Sequence, residues 1–258
     1  MSVHKELATL ATVEGCAINL ATLADARDRL ADAAEAGEGF TLFTLNLDHL
    51  VKLRTDRSFR EAYGRATFVS ADGAPVVRLA RRQGASLKRT TGADLILPLC
   101  EEAAFRRIPV FLFGSTPESL AGTAEELRRR YPGIIIAGME SPAQGFDPES
   151  PEADAVIDRI ADSGARLCFV ALGAPKQEIF SDRAAARRGG VGYLCIGAAL
   201  DFISGHQVRA PRLMQATGFE WLWRLLTNPR RMADRYARCA LLYAEVALSS
   251  TPRQPANR

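Results

Sequence analysis
From Phe40 onward the chain alternates short apolar runs with stretches in which apolar residues recur every three or four positions. The runs Thr41–Leu47, Thr67–Ser70, Pro109–Phe113, Ile134–Ala137, Leu167–Ala171 and Gly192–Ile196 predict strands buried on both faces. Between them, Asp48–Tyr63, Pro75–Gln83, Asp94–Arg107, Pro117–Arg130, Glu152–Ser163 and Lys176–Arg188 carry helical spacing. This alternation predicts an α/β fold: a Rossmann-like, mostly parallel sheet with helices on both faces. Ahead of it, an apolar opening (Val13 to Leu20) leads to Thr22, a candidate cap for a helix ending near Ala36. The best-marked helix starts at Thr116, with Pro117 and Glu118 in its first turn and Arg128 to Arg130 in its last. Tyr131-Pro132-Gly133 stops it, and Met139 to Pro151, with three prolines, reads as one long loop.

After Ile203 the strand pattern ends. Phe219–Asn228 predicts a helix, Pro229 breaks it, and a second runs from Arg230 to about Leu248. The expected organisation is a catalytic body over 1–203, a basic amphipathic helical appendage over 204–248 and a flexible tail over 249–258. Charge sharpens that division. Gly205 to Arg238 holds seven arginines against Glu220 and Asp234, so this stretch carries +5 and leaves the rest of the chain at −2 of a total of +3. A basic region with both tryptophans suits an anionic partner: a diphosphate, nucleic acid or a membrane surface. A helical hairpin packed on the body fits the same pattern. With 258 residues and 47% hydrophobic content the chain can bury a large core. It holds no apolar run near the ~18 residues that span a bilayer and no secretory leader at Met1 to Leu10, so a cytoplasmic place is expected. Five scattered cysteines read as buried reduced thiols, and three isolated histidines give no metal-ligand spacing.

The candidate chemistry sits where strands end. Leu172-Gly173-Ala174-Pro175-Lys176-Gln177-Glu178 follows a strand and opens a helix, the place where open α/β sheets bind anions. An ordinary connection with a surface Lys-Gln-Glu reads equally well from the pattern. Asp72-Gly73 follows another strand, so Asp72 is either a general base at the mouth of the sheet or a turn residue capping the next helix. Thr44 and Asn46 alternate toward one side near a strand's carboxyl end, which suggests contacts to ligand hydroxyls. Lys88-Arg89-Thr90-Thr91-Gly92-Ala93-Asp94 is either a phosphate cradle or a capped loop. The glycine fingerprint of dinucleotide folds, the Walker loop, the hydrolase serine elbow and Asp-x-Asp are all missing. Without the acidic metal clamp, arginines would have to neutralise a leaving diphosphate.

Together these blocks resemble the WecG/TagA/CpsF family of bacterial glycosyltransferases (glycosyltransferase family 26). They are Thr44-Leu45-Asn46, Asp72-Gly73, Arg89 to Asp94, Gly173 to Glu178, Gly197-Ala198-Ala199-Leu200-Asp201, Arg209-Ala210-Pro211, and Phe219 to Arg224 with Asn228-Pro229-Arg230-Arg231 and Arg235-Tyr236. The likeness runs in order from about Gly15 to Tyr243. One departure is Phe68-Val69-Ser70-Ala71 before Asp72, where many members place a proline. The resemblance implies an inverting, metal-independent hexosyltransferase with no cofactor. Its donor would be a UDP-sugar and its acceptor an undecaprenyl-diphosphate-linked saccharide, at the inner face of the cytoplasmic membrane. It implies Asp72 as catalytic base and Thr44, Asn46, Arg89 and Gln177 as substrate contacts. We add Gly173, Lys176, Glu178 and Asp201 to that set. Arg209, Arg212, Arg224, Arg230, Arg231 and Arg235 are the expected groups for diphosphate and an anionic membrane surface. The stretch Leu47 to Leu53 is similar to the exopolysaccharide branch.

Two rival classes remain at this level. A nucleotide- or NAD-dependent oxidoreductase or epimerase would bind nicotinamide and ignore lipid. A nucleic-acid-binding module would use the same arginines on phosphates but leaves Asp72 without a task, so no nucleic-acid partner is expected. The sequence leaves open which sugar is moved and the oligomeric state, a homo-oligomer included.

Overall fold
A computed structural model describes residues 7–211, 213–214, 220–227 and 229–249. A hairpin opens the fold: β1 (Ala11–Val13) pairs antiparallel with β2 (Cys16–Ile18). Glu14 and Gly15 turn it with positive φ at both positions, the backbone that a two-residue hairpin loop favours. The apolar opening contributes β2 to this hairpin. Helix α1 (Leu23–Glu35) begins at Thr22, whose hydroxyl accepts the Asp25 N–H.

Six parallel strands form the main sheet, in the order β4-β3-β8-β7-β5-β6. They are β3 (Phe40–Leu45), β4 (Phe68–Ala71), β5 (Val110–Gly114), β6 (Ile136–Glu140), β7 (Leu167–Ala171) and β8 (Gly192–Cys195). Alternation along each strand explains the two apolar layers. Phe40 and Leu42 of β3, Leu112 of β5 and Phe169 of β7 join the layer that includes α1, α5 (Gly92–Phe105) and α6 (Pro117–Arg130). Phe43 and Leu45 face the opposite layer, with α2 (Leu47–Thr55), α3 (Arg57–Arg65) and α4 (Ala74–Arg81). Phe113, Val170 and Tyr193 extend that face toward α7 (Pro151–Asp162) and α8 (Lys176–Arg187).

Two predicted elements differ in extent. The stretch Asp48–Tyr63 is two helices, because Asp56 adopts an extended backbone, caps the Phe59 N–H at 2.9 Å and closes α2 through its own N–H on Lys52. Apolar spacing continues across that break, which hides it in the pattern. The long loop is also shorter than read, since Met139 and Glu140 belong to β6, paired with β5. A short helix, α9 (Ala199–Ile203), follows β8. Then come α10 (Glu220–Thr227) and α11 (Pro229–Ser249). Among the described residues no helix is long and apolar enough to cross a membrane.

The C-terminal helices pack on the body. Leu242 and Val246 of α11 are buried in the same cluster as Leu50 and Leu53 of α2. Arg235 reaches the Asp48 carboxylate at 2.8 Å, and Arg54 binds Glu245 at 2.8 Å. Trp221 of α10 meets the Tyr236 ring edge-on at 5.8 Å. All five cysteines are free and buried, and burial pushes the Cys16 thiol up to about 11.

Candidate active site
Parallel pairing places every strand's carboxyl end on one edge of the sheet, and the polar groups gather where β3, β4 and β8 end. Leu45 lies opposite Ala71 in the β3–β4 register, so Asn46 and Asp72 are the next residues on each chain. The Asp72 N–H donates to Leu45 O at 2.8 Å, which continues the ladder and keeps the two together. Gly73 then takes φ +95°, a backbone that side-chain-bearing residues rarely adopt, and α4 departs with a proline in its first turn. Gly73, not Asp72, is the cap residue of α4.

The segment before α5 is stitched to this edge. Thr44 lies opposite Ser70, both buried. Ser70 donates to Thr90 O at 2.9 Å, and the Thr90 N–H donates to Ala71 O at 2.9 Å. Thr91 caps α5 by accepting the Asp94 N–H at 3.0 Å. Gly92 meets β8 so closely that a Cβ there would sit 2.8 Å from Ile196 Cα. Residues 88–94 are thus a capped loop by construction, and that loop carries Arg89 to the mouth.

From the β7 side comes the segment that opens α8. Gly173 has φ +75°, the Ala174–Pro175 bond is cis, and the helix begins at Lys176. Lys176 does not stand alone at that helix start: its ammonium donates to Phe146 O at 2.7 Å and ties down the loop before α7. Gln177 is 3% exposed and Glu178 0%, so this is no surface Lys-Gln-Glu. The Gln177 carboxamide accepts the Gly197 N–H at 3.1 Å and donates to Glu178 Oε1 at 2.8 Å, bridging the ends of β7 and β8. Glu178 is fully enclosed, and Gln177 links it to the segment after β8. Burial lifts its carboxyl to about 7, and the Gln177 bond offsets this in part. Its Oε2 meets no hydrogen-bond partner among the described residues.

His49, to which no role was assigned from the sequence pattern, lies beneath the same edge. Its Nε2 is 3.9 Å from Glu178 Oε1, and its Nδ1 shares a 2.7 Å hydrogen bond with the Tyr63 hydroxyl. Burial lowers its pKa to about 3, so the ring is neutral. Asn46 caps α2 by accepting the His49 N–H at 3.1 Å, which occupies its carbonyl and leaves its amide group for another partner. The helical spacing of residues 46 and 49 is the signal that could have joined them.

Asp201, on α9, holds the fold around the site. It accepts hydrogen bonds from Ser115, from Ser119 at 2.7 Å and from Gln207 at 2.7 Å. Those three residues belong to the β5–α6 turn, α6 and the chain leaving α9.

The basic groups divide. Arg209 and Arg89 converge on Asp94 and Glu220 at the mouth. Burial works against the Arg209 charge, but Asp94 and Glu220 hold its pKa above the ordinary value. Arg235 is engaged with Asp48 on α2. Burial would raise the Asp48 pKa; the Arg235 charge and Lys52 more than offset it and keep the carboxylate ionised. Arg230 is exposed on α11. Arg212 and the side chains of Arg224 and Arg231 lie outside the described residues. Two surface depressions lie off the mouth, one between α3 and α8 and one beside Lys88, and neither includes Asp72. Both are lined by surface groups, whereas convergent polar groups at strand ends mark a ligand site in such sheets. No group of three His, Cys, Asp or Glu among the described residues is arranged to hold a metal ion.

The arrangement offers a carboxylate beside a carboxamide, with arginines bordering it. Such a set can take a proton from an attacking hydroxyl and stabilise a leaving anion. Residues 11–255 match the profile of the Glycosyl transferase WecG/TagA/CpsF family, and the chain belongs to that family.

Proposed function
We propose that this glycosyltransferase moves a hexose from a UDP-sugar to an undecaprenyl-diphosphate-linked saccharide, with inversion and without a metal ion. The observation that carries this reading is the placement of Asp72. It extends the β3–β4 ladder beside Asn46, at the edge where open sheets bind ligands. In the reaction Asp72 takes the proton of the acceptor hydroxyl while that oxygen forms a bond to the anomeric carbon. The bond from that carbon to the UDP oxygen breaks, and UDP leaves with the electron pair. Thr44, Asn46 and Gln177 hold the sugar, and Arg89 with Arg209 balances the diphosphate charge.

The lipid-linked acceptor suits the C-terminal region, which the proposal places against the inner face of the cytoplasmic membrane. Val208, Leu213, Trp221 and Leu226 all expose apolar surface within this arginine-rich stretch. The product would serve a surface polysaccharide of the exopolysaccharide type.

The deciding experiment measures UDP release across a panel of UDP-sugars with a short-chain lipid-diphosphate acceptor. One donor should support turnover that survives EDTA. Asp72→Asn should keep UDP binding and lower turnover by ~10²-fold or more, because it removes the base without changing the volume. Turnover near the unmodified rate would assign the base to another residue, and loss on chelation restored by Mg²⁺ would put a metal in the reaction.

A further inference from the structure
Four charged side chains close a ring where the C-terminal region meets the body. Glu220 Oε2 accepts from Arg89 Nη1 at 2.8 Å, and its Oε1 accepts from Arg209 Nε at 3.1 Å. Asp94 Oδ1 accepts from Arg209 Nη2 at 2.6 Å, and Oδ2 lies 3.4 Å from Arg89 Nη2. Signs alternate, so each guanidinium faces two carboxylates. The four side chains are 21–26% exposed, enough to weaken screening without removing water.

The two acids differ in origin. Asp94 belongs to the body, fixed in the first turn of α5 by the Thr91 cap. Glu220 starts α10, 131 residues from Arg89 along the chain. Without Glu220, two like charges would share one carboxylate, and Arg89 would lose the shorter of its two bonds. A guanidinium has five N–H donors, and the ring uses two from Arg89, so ring membership still leaves donors for a ligand.

We propose that Glu220 is a positioning residue: by bridging Arg89 and Arg209 it sets the Arg89 guanidinium at the mouth of the sheet, so that seating of α10 and readiness of the site are one event. The inference rests on the glycosyl transfer proposed above, in which Arg89 meets the anionic substrate. Glu220 acts through Arg89, whose long side chain is ordered before the ligand arrives. The opposite role, a resident carboxylate that blocks Arg89 until a diphosphate displaces it, predicts effects of opposite sign.

A double-mutant cycle of Glu220→Gln and Arg89→Gln separates these, read as kcat/KM and as Kd for UDP. Acrylamide quenching of tryptophan emission runs alongside, since Trp221 adjoins Glu220 and is 44% exposed. Glu220→Gln should lower kcat/KM about tenfold in the unmodified chain, the scale of one lost charged hydrogen bond. In the Arg89→Gln background it should cost less than about twofold, because the group it positions is gone. Glu220→Asp should restore part of the loss. Tighter UDP binding or faster turnover in Glu220→Gln would overturn the proposal in favour of a blocking carboxylate. An equal loss in both backgrounds would overturn it too, since Glu220 would then act elsewhere. If the unmodified chain releases no UDP from any donor, the proposed reaction fails and quenching decides the inference. Equal rises in quenching for both single variants support the ring as the joint; unchanged quenching overturns it.

Discussion

Two of the described contacts between the C-terminal region and the body differ in kind. At the α2 seat, Leu242 and Val246 enter the core beside Leu50 and Leu53, and Arg235 reaches Asp48, whose side chain is only 11% exposed. At the mouth of the sheet the contact with Glu220 is ionic, through side chains about a quarter exposed. Apolar burial is not screened by salt, whereas partly exposed ion pairs weaken as salt screens them. The α2 seat combines apolar burial with ion pairs, whereas the mouth contact with Glu220 is ionic, so salt should weaken the mouth contact more. The same first turn of α2 also caps on Asn46 and buries His49 beside Glu178, so the α2 seat adjoins the candidate site.

Truncation before Ser204 tests the comparison most severely. It strips Leu242 and Val246 from the core, and burial of those two side chains stabilises by about 3–6 kcal/mol. That is a large share of the ~5–15 kcal/mol that keeps a domain folded. It also leaves Asp48 without Arg235. The truncated chain should unfold at markedly lower denaturant concentration or precipitate. A shortened body with the stability of the parent would make the α2 seat mere surface contact. A milder form is Leu242→Ala, which should cost ~2–5 kcal/mol in denaturant unfolding. It should leave the relative effects of Glu220 variants unchanged, because the two joints are separate.

The alternation of strands and helices was legible in the sequence, and the blocks at Thr44 to Asn46, Asp72-Gly73, Gly173 to Glu178 and Gly197 to Asp201 lie at or just after strand ends. Thr116, Thr22 and the Tyr131-Pro132-Gly133 stop act as read, because capping is local chemistry. The break at Asp56 was hidden by apolar spacing that continues through it. The partners of the charged groups were not legible at all. Lys176 turns to Phe146 O, Asp201 gathers Ser115 and Ser119, and Arg235 meets Asp48, each through contacts between residues far apart in the chain. Long-range ion pairs leave no periodic trace, so a motif block names candidate residues and not what they touch.

A test of intermediate size lies beneath the α2 seat. Glu178 is lifted to about 7 by burial, from an ordinary value of 4.5. Between those values the folded chain holds a proton that the unfolded chain has lost, so stability from this group falls as pH rises from 4.5 to 7. The neighbouring His49 works the other way: its pKa is lowered to about 3, so its contribution rises with pH between 3 and 6.5. Glu178→Gln removes only the first effect. The stability difference between variant and parent should therefore move in the variant's favour across pH 4.5 to 7, by ~3 kcal/mol. A difference that stays flat with pH would mean that Glu178 is ionised throughout, with a partner for its Oε2.

The smallest effect is expected at the outer rim of the same seat. Glu245 accepts two hydrogen bonds from Arg54, at 2.8 and 3.1 Å, and Arg54 also binds Glu14 of the opening hairpin. The geometry is good, yet Glu245 is 62% exposed, and exposed pairs contribute little. Removing Glu245 leaves Arg54 with Glu14, so no charge is stranded. Glu245→Ala should leave the unfolding midpoint close to that of the parent, and any shift should vanish in 1 M salt. Donor-dependent UDP release should not change, because the apolar part of the seat still holds α11 against α2. A loss comparable to Leu242→Ala would show that α11 is held by its charges, and would erase the distinction between the two joints.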